Sequence, residues 1–210
     1  MESVHAETIS IHSAELQLKS EGFPKSPVRP LVDREGVTVM SAPRADLFRD
    51  PAGSDSPPDA ERFMATVEGD FQFSAHVEVS FHTQFDSGVL LGYVDDDNWF
   101  KICAELDPDG TRRVVSVVTR DGASDDANGW EIGDGGIHLR ISRMAQAFAL
   151  HASRDGHTWS MIRYFSLRAN TPAALKVGLL AQSPAGEGTR VRFSMVRMSR
   201  TMLAGVRSGA

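Results

Sequence analysis

One short stretch of the chain concentrates residue types that suit a polar ligand. Between Asn98 and Leu106 runs N-W-F-K-I-C-A-E-L, with Trp99, Lys101, Cys103 and Glu105 on alternate positions. In an extended strand that spacing puts all of them on one face. An indole, an ammonium and a carboxylate aligned in this way offer a stacking surface and hydrogen-bonding groups of both signs. That is the composition of a site for a sugar or another small polar molecule.

Other chemistry is less well supported. The single cysteine, Cys103, excludes an internal disulfide and fits a reducing, cytoplasmic setting. As a nucleophile it needs a base within reach, and the neighbours predicted below for its sulfur, Leu90 and Val114, are apolar. His76 and His82 stand roughly 20 Å apart along an extended chain, too far to share an ion. Asp95-Asp96-Asp97 lacks the spacing of a calcium loop and reads as a solvated turn. It leaves room for a structural Ca2+ there or in residues 121–136, with no other cofactor implied. Phosphate-binding loops, dinucleotide fingerprints, nucleophile elbows and zinc-protease helices are missing from the sequence.

The elements that must position the first set are hairpins. With Asp96-Asp97 as a turn centre, Val94 faces Trp99, Gly92 faces Lys101, Leu90 faces Cys103 and Gly88 faces Glu105. Val89, Leu91, Phe100 and Ile102 then form a uniformly apolar opposite side, which is the expected core. A turn at Asp107–Gly110 places Arg112 beside Glu105, Val114 beside Cys103, Ser116 beside Lys101 and Val118 beside Trp99. The expected ligand face holds Trp99, Lys101, Glu105, Arg112 and Ser116, with Gly88 and Gly92 clearing space beneath a ligand. The competing structural reading makes Glu105 and Arg112 a cross-strand ion pair and Trp99 a cover for the sheet.

Period-two alternation recurs along the chain, most clearly from Phe71 to His82. Turn clusters rich in Asp, Gly and Pro separate the runs, and no amphipathic helix is apparent. The pattern predicts an all-β, antiparallel sandwich. Residues 1–30 read as an arm or edge strand around Thr8–Leu18, residues 31–200 as the sandwich domain, and residues 201–210 as a tail. Residues 121–136 read as a long loop whose Trp130 closes over the ligand. With 22 basic against 28 acidic residues and a net charge of −6, nucleic acid and anionic membranes are poor partners. A signal peptide and a membrane-spanning apolar stretch are not expected.

Several phrases together resemble a known family. They are Asn98-Trp99-Phe100-Lys101-Ile102-Cys103-Ala104-Glu105, Ser116-Val117-Val118-Thr119, Ser153-Arg154-Asp155-Gly156 with Trp159, and Ala45-Asp46-Leu47-Phe48-Arg49-Asp50. In this order they are similar to the family of unknown function that includes the "regulation of enolase" proteins, in the concanavalin A-like lectin/glucanase superfamily. The resemblance runs from about Val37 to Met198. It implies a jelly-roll sandwich with a concave face, often in cytosolic proteins. The chain departs from the pattern at Leu47 and Phe48, where the family has Phe and Trp. It departs again at Cys103, where the family has Gly and where a thiol narrows the groove.

Glu105-Leu106-Asp107-Pro108-Asp109 bears comparison with the E-x-D-x-E strand of retaining glycosidases in that superfamily, whose carboxyls must sit ~5–5.5 Å apart. Pro108 interrupts the ladder here, so Asp109 is expected to point into a loop. The reading that results is a non-catalytic protein binding a carbohydrate or small polar ligand on the concave face. The alternatives are a protein-interaction or regulatory module with a protein partner and, after it, a glycoside-active enzyme.

Overall fold

The computed structural model describes residues 8–11, 16–21, 29–53, 59–167 and 171–210, and every regular element among them is a strand. In chain order these are β1 (Thr8–Ile11), β2 (Leu16–Glu21), β3 (Leu31–Val32), β4 (Gly36–Met40) and β5 (Arg62–Glu68). There follow β6 (Phe71–Val79), β7 (Ser87–Asp95), β8 (Asn98–Leu106), β9 (Arg112–Arg120) and β10 (Ala123–Glu131). The last are β11 (Ile137–Met144), β12 (Ala147–Ser153), β13 (Ser160–Ser166), β14 (Ala174–Gln182) and β15 (Arg190–Ser199). They form two antiparallel sheets, one of eight strands ordered β1-β2-β5-β14-β7-β8-β9-β10 and one of seven ordered β13-β12-β11-β6-β15-β4-β3. This is the antiparallel sandwich expected from the alternating pattern, of the jelly-roll type that the family resemblance implies.

Strand β6 shows why. Phe71, Phe73, Ala75 and Val77 are buried between the sheets, while Gln72, Ser74 and His76 look outward. The eight-stranded sheet contributes Leu90, Phe100, Ile102, Ala104, Val114 and Val118 to the same core. Phe100 meets Phe148 at 4.6 Å and Phe165 at 5.1 Å between ring centroids, so aromatic packing ties the two sheets together.

Both hairpins around β8 are shifted by one residue from the sequence-based register. Tyr93 faces Trp99, Leu91 faces Lys101, Val89 faces Cys103 and Ser87 faces Glu105, because an irregularity between Tyr93 and Asp95 leaves Val94 out of the ladder. Asp95 Oδ1 accepts hydrogen bonds from Asp97 N–H at 3.1 Å and Asn98 Nδ2 at 2.7 Å, which closes the turn inside the strand end. On the other side the loop runs one residue longer, with Asp107 N–H donating to Thr111 O. Arg113 thereby faces Glu105, Val115 faces Cys103, Val117 faces Lys101 and Thr119 faces Trp99.

These shifts turn the glycines around. Gly88 and Gly92 face the interior, where a Cβ on Gly88 would come within 2.6 Å of Val77 and Val191, and one on Gly92 within 2.2 Å of the Phe100 ring. They allow close packing of the sheets and do not floor a groove. Residues 121–136 also differ from the expected loop, since most of them form β10, paired to β9 from Ala123 to Glu131. The amino-terminal region supplies the hairpin β1–β2 at the edge of the eight-stranded sheet, in place of one strand. At the other end, Arg140 Nη2 donates to Gly209 O at 2.6 Å and His151 Nε2 lies 2.7 Å from Val206 O. Residues 206–209 are thus docked on the outside of the seven-stranded sheet.

The inward glycines give a direct test of the register. Gly92→Ala should destabilise the fold by about 1–3 kcal/mol through overpacking against Phe100. Gly133→Ala, where a Cβ meets nothing within 4 Å, should be close to neutral. Urea unfolding of the two variants checks this, and a neutral Gly92→Ala would favour the register expected from sequence.

Candidate functional site

The outer face of the eight-stranded sheet is not open. Val89, Leu91, Tyr93, Trp99, Cys103, Val115, Val117 and Leu180 form a second buried cluster there, closed by Ala42, Ala45, Leu47, Met64 and Ala60. The cover is the segment Ser41–Asp50, which crosses the strands as a strap. Its bonds trace the crossing. Ser183 N–H, just past β14, donates to Ala45 O at 3.0 Å. Lys101 Nζ on β8 donates to Leu47 O at 2.7 Å. Arg49 and Ser124 on β10 exchange two hydrogen bonds, Ser124 N–H to Arg49 O and Arg49 N–H to Ser124 Oγ. A strand flanked by core on one side and strap on the other carries apolar residues on both faces, which explains why β7 and β8 are buried along most of their length.

Lys101 is central to this cover. It is only 2% exposed, and its ammonium donates to Leu47 O and to Gln182 Oε1 at 2.9 Å. Gln182 Nε2 in turn reaches Asp46 Oδ1 at 3.4 Å. Trp99 is fully buried beneath the strap, with Lys101 Nζ 5.9 Å from its ring. The expectation that Trp99 forms an accessible stacking platform is therefore corrected. Cys103 lies in the same cluster, where burial pushes its thiol up to about 12 and leaves it unreactive.

Beside the strap a cleft of about 390 Å3 remains. Its walls are Phe48 from the strap, Phe85 and Pro184 at the sheet end, and Val115 and Val117 on β9. Its polar groups are Asp46, Lys101, Glu105, Asp126 and Gln182. Phe85 is held in a left-handed backbone conformation with φ 68. Its N–H donates to Leu106 O at 2.6 Å, and Leu106 N–H donates to Asp86 O. The buried Asp86 carboxylate accepts from His82 N–H, Thr83 N–H and Ser183 Oγ–H. This network holds a strained residue so that an aromatic ring lines the cleft.

Glu105 is the group with most chemical consequence. It is half-buried at the edge of the cleft, and its carboxylate has no hydrogen-bond partner among the described residues. Arg113 stands opposite it but turns away to Asp107 at 2.6 Å and Asp109 at 3.2 Å. Burial pushes the Glu105 carboxyl up from its usual 4.5 to about 7. Lys101 opposes that rise, while Asp46, Asp126 and Asp107 add to it. Of the Glu105-x-Asp107-x-Asp109 series only Glu105 lines the cleft, because Arg113 takes up the other two.

The remaining expected ligand residues lie elsewhere. Arg112 faces Leu106 and binds Asp134 across the sandwich mouth, near Phe81, so neither the expected groove position nor the ion pair with Glu105 forms. Ser116 faces Ile102 and is buried on the inner side. Trp130 packs partly against the main core with the Arg154 guanidinium 4.7 Å from its ring, so it does not close over the cleft. Of the expected set, Lys101 and Glu105 reach the cleft, and Gly88, Gly92, Trp99, Arg112, Ser116 and Trp130 do not. Asp46, Phe48, Phe85, Asp126 and Gln182 come from segments remote in sequence. Among the described residues no group of three or more His, Cys, Asp or Glu side chains is arranged to hold a metal ion.

The family model for "Protein of unknown function (DUF1349)" matches residues 26–201. The chain belongs to this family. A functionally unknown protein from Saccharomyces cerevisiae is 22% identical, with a TM-score of 0.78 over 88% of this chain and 97% of that one. The GH43 BlXynB protein from Bacillus licheniformis is 12% identical, with a TM-score of 0.62 over 79% of this chain and 33% of its own length. The carbohydrate binding module CBM66 from Bacillus subtilis is 14% identical, with a TM-score of 0.51 over 81% of this chain and 91% of that chain. At these identities the likeness is one of fold. No curated protein matches the chain.

The raised Glu105 pKa makes a prediction with a definite sign. The folded protein keeps this proton up to about 7, whereas an unfolded chain releases it near 4.5, so Glu105 lowers stability as pH rises between those values. Glu105→Gln should therefore gain about 1–3 kcal/mol over the wild type at pH 8, and much less at pH 4. Urea unfolding of both proteins at the two pH values measures the difference.

Proposed function

We propose that this DUF1349 protein is a non-catalytic binding protein whose ligand is a carbohydrate or a similar small polyhydroxylated molecule held in the cleft beside the strap. The observation that carries the reading is Glu105, a half-buried carboxyl without a hydrogen-bond partner among the described residues, lining a preformed space with aromatic walls. The protein itself offers this carboxyl no partner, and a ligand hydroxyl in the cleft supplies one. Phe48 and Phe85 give apolar faces for a sugar ring, and Asp46, Lys101 and Gln182 offer further polar contacts. The likeness of fold to a carbohydrate binding module supports the same reading. A cytoplasmic setting belongs to this proposal, consistent with a single cysteine that stays a buried free thiol.

A second reading follows from the resemblance to the "regulation of enolase" proteins, in which the chain is a regulatory or interaction module. The observation in its favour is β3, the edge of the seven-stranded sheet, where Leu31 and Val32 are 66% and 48% exposed.

Titrating neutral mono- and oligosaccharides while following backbone amide resonances separates the two. A bound sugar should shift Val115, Val117 and Asp126. Phe85→Ala and Glu105→Gln should each weaken binding about tenfold or more, a loss of at least ~1.4 kcal/mol. Absence of any sugar that moves these resonances would transfer the assignment to the interaction module.

A further inference from the structure

The charges around the cleft are unequal. Three carboxyls line it, on Asp46, Glu105 and Asp126, against one cation, Lys101. That cation is committed elsewhere, since its ammonium is buried and donates to Leu47 O and Gln182 Oε1. Arg113, the nearest other cation on the facing strand, is drawn away by Asp107 and Asp109. What the cleft presents to an entering molecule is the negative potential of its carboxylates, in a space also lined by Phe48 and Phe85. A positive group there gains from the carboxylates and from the faces of the aromatic rings, while a phosphate or carboxylate is repelled.

From this we infer that the cleft selects an ammonium-bearing sugar, an amino sugar, over neutral and acidic sugars, with Glu105 as the residue that determines the preference. The inference rests on the carbohydrate-binding reading and narrows its ligand class. The hydroxyls meet Asp46, the ring lies against Phe85, and the ammonium completes the unpaired Glu105 carboxylate. Asp126 on the edge strand β10 adds charge without closing the entrance, because its side chain is exposed.

Calorimetric titration of the full chain with glucosamine, glucose and glucuronate at pH 7 tests the order. Glucosamine should bind about tenfold more tightly than glucose, and glucuronate should bind most weakly. Glu105→Gln should weaken glucosamine more than glucose and bring the two to within about threefold of each other. Equal affinities for glucose and glucosamine, or tighter binding of glucuronate, would overturn the charge selection and leave the carbohydrate-binding reading standing. An unchanged preference in Glu105→Gln would also overturn it. No heat with any of the three sugars, together with cleft resonances that stay still, would end both.

Discussion

The hydrogen bond from Lys101 Nζ to Leu47 O is the contact on which the outer half of this molecule depends. A lysine ammonium needs several acceptors, and an interior site must provide them from the protein itself. Here they are a strap carbonyl and the Gln182 amide, so the charge can be buried only if the strap lies across the sheet. The strap in turn supplies Ala45 and Leu47 to cover Trp99, Leu91 and Val117, which would otherwise form an exposed apolar face. Cation and cover require each other.

From that arrangement the remaining features follow. A sheet sealed on both sides has little surface left for recognition, and what remains lies where the strap ends. Glu105 sits two pleats beyond Lys101 on the same strand face, at the margin of the cover. It is close enough to the second core to be partly desolvated, and the strap residues that share its cleft, Asp46 and Phe48, offer its carboxyl no donor. Phe85, in its strained conformation, narrows the same margin from the loop before β7, at the sheet end where Glu105 lies. The cleft is thus a product of incomplete coverage, with its unsatisfied group placed where a ligand can reach it.

Much of the fold was legible because a period of two is simple to read. The alternation in β6 identifies its buried face directly, and that of Trp99, Lys101, Cys103 and Glu105 correctly puts these residues on one side of β8. The register was not legible. Choosing it by keeping one face apolar presumes that the other face is wet, and β7 and β8 are covered on both. Val94 bulging out of the ladder and Thr111 joining the loop then move every facing residue by one. A register chosen that way puts Gly88 and Gly92 in a groove, whereas they permit close sheet packing. The strap segment Ala45–Asp50 stands out in the sequence only as part of a family pattern, since nothing local in it predicts that its carbonyls will receive Lys101 and Ser183. Phe85 and Asp126 join the cleft through contacts distant in sequence, which periodicity cannot report. Glu105 was found because its residue type and face were both readable.

The central claim is that the strap leaves Glu105 in a desolvated, unpartnered cleft, and the most direct measurement is the titration of that one carboxyl. Carbon-13 NMR of the Glu105 side-chain carboxyl, assigned with Glu105→Gln, should give a midpoint near 7. A midpoint near the usual 4.5 would mean that water or a cation reaches the carboxylate freely and that the strap does not form the cleft described.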